Sequence, residues 1–361
     1  MHVHPVCYLG RSRLQRNRAN LFQTLKTCDA LVKLGVPLGL YLPPWRNCDS
    51  RERLTAIGVA PSLPVVPLRL LHRRWPEGLF VAWHGRSLRD RAVYVRDPRL
   101  AVALAEGGIR LDFEVHQVRA LNEAGLLQRV VDAHRRGLIR YLLPISRAAA
   151  VALVEAGCNG TRLAVLPSAV DYEAFAAIPR LTADAFVAPV ALYAGRISRS
   201  RGLDILAHLA ASDILTVRLL GEAEDPVPSL PSMTHAGFVA PSALPEAYAA
   251  AQIALLPYQP DLGHSDAISP LKLFEAMAAG RAIIASDLPP VREIVTHGIN
   301  GLLVPPRDAR AWEGAVRELI ANPADASELG ARAREDARRH SWTARAQNMI
   351  DLLDLPVILR E

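Results

Sequence analysis

Ser269–Ala285 reads SPLKLFEAMAAGRAIIA. A Ser-Pro pair opens an apolar stretch, Gly280 closes it, and the apolar segment Ala282–Ala285 follows at once. Ser269 is placed to cap a helix, Pro270 suits its first position and Gly280 suits its end. The order is polar loop, helix, glycine stop, strand, as in an α/β fold. One residue breaks the apolar pattern: Glu275 stands among Leu271, Leu273, Phe274, Ala276 and Met277. A free carboxylate is unusual in such company. In open α/β sheets, ligands sit where strands end and helices begin, and phosphates favour helix N-termini. An acid two turns into such a helix can reach the hydroxyls of the sugar of a bound nucleotide. The alternative is an amphipathic helix with a solvated Glu.

Outward from this segment, each half of the chain alternates short apolar strands with amphipathic helices. In the first half, strands are predicted at Val3–Leu9, Pro37–Leu42, Ala92–Val95, Arg110–Val115, Ile139–Pro144 and Leu163–Leu166. Helices are predicted at Asn20–Leu34, Pro98–Glu106, Glu123–Arg136 and Arg147–Ala156. The second half repeats the scheme from Pro189–Tyr193 onward. Short β–α links argue for parallel sheets covered on both faces. The stretch Pro43–Gly85, rich in Pro, Arg and Trp, fits no regular pattern and reads as loops. A linker is expected near 175–187, giving domains at 1–175 and 188–341.

The chain has 361 residues, half of them apolar, which suits two cores better than one. No apolar run is long enough to span a bilayer, and MHVHPVCYLG lacks the pattern of a signal peptide. Cys7, Cys28, Cys48 and Cys158 show no metal-ligand spacing and read as reduced thiols of a cytoplasmic protein. Charge is uneven. Residues 1–175 hold 25 Arg and Lys against 14 Asp and Glu, and the remainder hold 17 against 22. A basic half suggests an anionic partner such as a membrane surface or a phosphorylated acceptor. The alternative is an Arg-rich composition: only three of the cations are Lys. No nucleic-acid-binding motif accompanies the charge, so nucleic acid is not an expected partner.

The strand at Val190–Tyr193 runs into Ala194-Gly195-Arg196-Ile197-Ser198-Arg199-Ser200-Arg201-Gly202. Arg196 and Arg201 thus stand where a strand gives way to a helix. There a guanidinium can grip phosphate by paired hydrogen bonds. A basic surface turn is the alternative. This segment resembles the G-R-[LI]-x-x-x-K-G motif of the retaining glycosyltransferases of family 4, with Arg201 in place of Lys. Further matches follow in family order: Leu166–Asp171 resembles "pNGVD", Leu220-Gly221-Glu222 "GxG", Ala236–Val239 "GxV", Leu255–Tyr258 "LlPs/y" and Phe274–Gly280 "lEAMAcG". Val291–Val295 and Asn300–Val304 resemble "xxEiv" and "nGllv". In the first half the likeness is thinner: Phe113–His116 resembles "xExH", and Ala19-Asn20 opens the first helix.

The resemblance implies a GT-B fold, an α/β arrangement of two Rossmann-like parallel-sheet domains facing a central cleft. Residues 342–361 are expected to pack back on the first domain. It also implies metal-independent transfer of a sugar, with retention, from a UDP- or GDP-sugar to a glycan or lipid-linked acceptor, and no cofactor. Arg196 and Arg201 would hold the diphosphate and Glu275 the ribose. Gly195, Gly237, Phe238, Val239, Asp266, Ile268, Ser269, Pro270, Leu271 and Lys272 would complete the donor site. His116, with Arg196, Arg201 and Glu275, would act in catalysis. Asn20, His116 and the loop arginines Arg11, Arg13, Arg16 and Arg18 would meet the acceptor. A structural role for His116, or a solvated basic loop, is the competing reading of these last groups.

One departure matters. The family's E-x7-E pair would place an acid at Ala267, with Asp266 one residue early. The segment is instead an SPxK variant, with Lys272 in the first helical turn, where a cation is disfavoured unless an anion sits beside it. Other chemistries on the same fold, a glycoside phosphorylase, a nucleotide-sugar epimerase or a non-catalytic binder, therefore stay open. The role expected from sequence is synthesis of bacterial cell-surface polysaccharide at the inner face of an anionic membrane.

Overall fold

The computed structural model describes residues 4–16, 18–263 and 267–358. The chain divides into two compact units: Met1–Pro167 with Trp342–Glu361, and Ser168–Ser341.

The first unit holds six parallel strands: β1 (Val6–Leu9), β2 (Leu38–Leu42), β3 (Val65–Pro67), β4 (Ala92–Val95), β5 (Leu111–Val115) and β6 (Ile139–Pro144). Their order is β3-β2-β1-β4-β5-β6. The central strands are buried throughout because helices cover both faces, so they read as unbroken apolar runs. Short polar side chains start the helices. Asp97 Oδ1 accepts from Leu100 N at 3.1 Å, and Ser146 Oγ from Ala149 N at 3.2 Å. The helix Trp342–Leu353 packs on the first helix, Ala19–Lys33, with the ring of Trp342 edge-on to Phe22.

The second unit repeats the design with β7 (Val190–Ala194), β8 (Thr216–Leu220), β9 (Met233–Ala236), β10 (Ile253–Leu256), β11 (Ala282–Ser286) and β12 (Leu302–Val304), in the order β12-β11-β10-β7-β8-β9. Both sheets have the doubly wound order, so each has a switch point. The switch lies between β1 and β4 in the first and between β7 and β10 in the second.

The structure departs from the sequence reading in several places. The helix expected at Glu123–Arg136 begins only at Leu127, after a separate helix at Val118–Glu123. Leu163–Leu166 is not a strand; it makes an isolated bridge from Leu163 to Leu142, with Leu166 N donating to Pro144 O at 2.8 Å. The Pro43–Gly85 stretch contains the edge strand β3 and two helices, Ser50–Ala56 and Glu77–Leu88. Asp49 caps the first of these, accepting from Arg51 N at 2.7 Å. The stretch 175–187, expected as a linker, packs within the second unit. Arg334 Nη2 reaches Ile178 O at 2.7 Å, and Arg281 Nη2 reaches Pro179 O at 2.6 Å.

Candidate functional site

Three glycines bring the carboxyl ends of β7, β8 and β10 together. Gly195 follows β7 with φ +140°, and a Cβ there would lie 2.7 Å from Lys272 Nζ. Gly221 follows β8, and its Cβ would meet Gly195 O at 2.2 Å. Gly202 has φ +85°, and its Cβ would meet Pro257 O at 2.1 Å. A side chain at Gly202 or Gly221 would hold the loops apart, and one at Gly195 would strike the Lys272 side chain, so glycine here permits a close approach at the switch point.

The helix Leu271–Ala279 starts beside these loops. Ser269 does not cap it, contrary to expectation, and Pro270 stands at the N-cap rather than at the first helical position. Ser269 is committed to Ser168 instead. Its Oγ accepts from Ser168 N at 2.8 Å, and its carbonyl accepts from Ser168 Oγ at 2.6 Å. Gly280 ends the helix in the left-handed region, φ +66°, as its sequence position suggested. Ala267 and Ile268 are buried, Leu271 is half-buried, and Asp266 lies outside the described residues.

Lys272 points its ammonium inward. Nζ lies 3.7 Å from the Tyr193 ring centroid and 5.1 Å from that of Tyr258, and is buried with no hydrogen-bond partner among the described residues. Burial, with the Arg201 charge nearby, holds this amine well below the usual lysine range. Glu275 follows one turn later, fully packed. Burial pushes its carboxyl up to about 7, against the pull of Lys272 and a hydrogen bond from Tyr248. The Tyr248 hydroxyl oxygen also lies 3.2 Å from Lys272 O.

Arg196 and Arg201 stand on the loop after Gly195. Arg201 is nearly buried and donates to Ser198 Oγ at 3.0 Å, whereas Arg196 is exposed. The site therefore gathers Gly195, Arg196, Arg201, Lys272 and Glu275. Gly237 joins through its carbonyl, which accepts from Gly221 N at 3.0 Å, while the Phe238 side chain is exposed and Val239 half-buried. Glu224, Tyr193, Tyr248 and Tyr258 were not singled out in the sequence. The tyrosines end or follow strands and helices and read as ordinary core.

The first unit has a second polar centre. His116 Nε2 lies 2.7 Å from Glu114 Oε1 and 3.1 Å from Arg96 Nε. Arg96 Nη1 donates to Asn20 O at 2.8 Å and Thr24 Oγ1 at 2.9 Å. Glu114 Oε2 accepts from Arg345 Nη2 at 2.9 Å and from the Tyr94 hydroxyl. Burial pushes the Glu114 carboxyl up, but Arg96 and Arg345 outweigh it and hold it well below its ordinary value. Burial and Arg96 push the His116 imidazole below its ordinary value, against the pull of Glu114. His116 and Asn20 thus belong to one network, in which Arg96 and Arg345 were missed; nothing in their spacing marks them. The loop arginines do not form one open cluster as expected. Arg11 is buried, pairs with Glu77, and donates Nε–H to Leu71 O at 3.1 Å. Arg16 and Arg18 are exposed and Arg13 is half-buried. Among the described residues, no group of three or more His, Cys, Asp or Glu could hold a metal ion, and no helix is long and apolar enough to cross a membrane.

The two doubly wound sheets define an α/β protein of the GT-B fold. Residues 188–322 match the family model described as glycosyl transferases group 1. The chain is 27% identical over 225 residues to D-inositol 3-phosphate glycosyltransferase of Xylanimonas cellulosilytica, which covers 54% of this chain and 52% of that protein. The chain thus spans about half the length of this curated relative. Sucrose-phosphate synthase from Thermosynechococcus elongatus superposes with a TM-score of 0.74 at 19% identity, covering 97% of this chain and 98% of that one. HepE from Anabaena, solved in complex with UDP, gives a TM-score of 0.74 at 17% identity, covering 97% and 99%.

Proposed function

We propose that this protein is a retaining glycosyltransferase that moves a sugar from a UDP- or GDP-sugar to a glycan or lipid-linked acceptor. The observation that carries the reading is the gathering of Arg196, Arg201 and Lys272 with Glu275 at the carboxyl ends of β7 and β10, inside the segment that matches the family model. A departing nucleoside diphosphate gains negative charge, and fixed cations in a dry site stabilise it. Arg196 and Arg201 grip the diphosphate by paired hydrogen bonds. Lys272, protonated when the anionic diphosphate sits beside it, supplies a further positive charge, and Glu275 accepts from the ribose hydroxyls. With the leaving phosphate oxygen taking the acceptor proton on the same face, the reaction needs no carboxylate base from the protein. No divalent metal takes part, because the three cations stand where a metal would neutralise phosphate. The complex of HepE with UDP supports a uridine nucleotide as the first donor to try. The basic first half, with Arg16 and Arg18 exposed, favours an anionic acceptor at the cytoplasmic face of a bacterial membrane, as in cell-surface polysaccharide synthesis.

The test is release of nucleoside diphosphate from UDP- and GDP-sugars, with and without glycan and lipid-linked acceptors, in the presence of EDTA. Release that requires both donor and acceptor is expected. Donor binding without turnover on any acceptor would favour a non-catalytic binder. A requirement for magnesium or manganese would overturn the metal-free reading.

A further inference from the structure

Glu224 lies in the loop after β8, and sugar transfer as described makes no use of it. Its carboxylate is shared between two guanidiniums: Oε1 accepts from Arg196 Nη1 at 2.7 Å and Oε2 from Arg201 Nη1 at 2.8 Å. The backbone sets this position. Ile197 N donates to Glu222 O at 2.9 Å, and Glu224 N donates to Ile197 O at 2.8 Å. The loop is thereby laced to the segment that carries both arginines. Asp225 secures the next step, accepting from Arg199 N at 2.8 Å. One anion bridging two guanidiniums, an oxygen to each, is also how a phosphate is held.

We propose that Glu224 occupies the diphosphate seat of the ligand-free protein and yields it when a nucleoside diphosphate binds. The proposal rests on the reading that Arg196 and Arg201 hold the diphosphate. The two pairs differ in a way that suits exchange. Arg196 is 59% exposed and Glu224 41%, so water screens their pair and it opens readily. Arg201 is 11% exposed and keeps Ser198 Oγ as a second partner, so it stays aimed when the carboxylate leaves. Once displaced, Glu224 remains close to a ligand of its own sign. It therefore lowers affinity for the diphosphate and favours its release, while keeping two arginines from facing each other unpaired in the empty site.

The test is calorimetric titration of UDP and of GDP into the full chain and its Glu224→Gln and Glu224→Ala variants. Both substitutions remove the competing charge, so the dissociation constant is expected to fall about two- to fivefold in each. Added salt should narrow the difference. Weaker binding in both variants would mean that Glu224 orients the arginines for the ligand, and would overturn the proposal, as would equal affinity. Failure of all three proteins to bind either nucleotide would overturn the sugar-transfer reading, a result separable from the other two. Ligand-free unfolding midpoints establish that the variants are folded; the Glu224 side chain is exposed enough for both to be tolerated.

Discussion

Lys272 is a buried amine with no hydrogen-bond partner among the described residues, and this has opposite consequences for folding and for binding. An unpaired ammonium in an apolar setting is costly, and the faces of Tyr193 and Tyr258 offset only part of that cost. Its lowered affinity for protons means that the unfolded chain binds more protons than the folded one, between the lowered value and the ordinary 10.5. Ligand-free stability should therefore rise with pH across that window. Lys272→Met should be more stable than the parent at neutral pH, lose that slope, and bind UDP more weakly. Urea titrations at neutral and mildly alkaline pH, with calorimetry of UDP, check all three; a less stable variant would show that the ammonium is paired in solution. Arg201→Ala removes a charge-assisted contact worth about 1.5–3 kcal/mol, so UDP affinity should drop roughly ten- to a hundredfold. Unchanged affinity would place the diphosphate elsewhere.

At the scale of elements, the glycines decide what can converge. Gly202→Ala would force a Cβ against Pro257 O from a left-handed backbone, separating the loops after β7 and β10. A loss of at least about 1 kcal/mol in unfolding free energy is expected, with weakened nucleotide binding. Gly237→Ala, with open space around its Cβ, is the contrasting substitution and should cost little in stability. Much of this level was legible in the sequence. Apolar runs such as Ala282–Ala285 announce buried parallel strands by themselves, and Gly280 announces a helix end. What escaped had physical reasons. β3 is three residues long and ends in Pro67, so edge position and proline hid it. Ser269 looks like a cap by type, but Ser168, distant in sequence, claims both its side chain and its carbonyl. Glu275 stood out as an acid in apolar company, whereas Glu224 lay in a polar loop where an acid is unremarkable. Arg96 and Arg345 became visible only once folding had placed them on Glu114.

Across the whole molecule, Arg345 is the tie that binds the last helix into the first unit. It donates to Glu114 Oε2, to Thr27 Oγ1 at 2.9 Å and to Pro167 O at 2.9 Å. Both members of the ion pair are buried, so removing Arg345 leaves Glu114 with Arg96 as its remaining arginine. Arg345→Met should destabilise the first unit by less than the roughly 3–5 kcal/mol of a wholly unpaired buried charge, because Arg96 stays on Glu114, seen as an earlier denaturant transition, while the second unit keeps its own. The excess of positive charge has a molecular readout too. Anionic vesicles should sediment the protein at low salt and release it at high salt, and an Arg16, Arg18 double change to Ser should bind less. Arg11→Ser should instead act through stability, because its charge is spent on Glu77.

The return of Trp342–Leu353 to the unit begun at the other end of the chain sets an order of events during synthesis. Residues 168–341 contain everything their own core requires, and they leave the ribosome before the helix the earlier unit needs. The unit translated first is therefore the one completed last. Until Arg345 emerges, Glu114 waits without one of its two arginines, and the side of the first helix meant for Trp342 lies bare. Nascent chains cut at Ser341 and tethered to the ribosome by an unstructured linker long enough to clear the exit tunnel should show a protease-resistant second unit beside a first unit that is still readily cut.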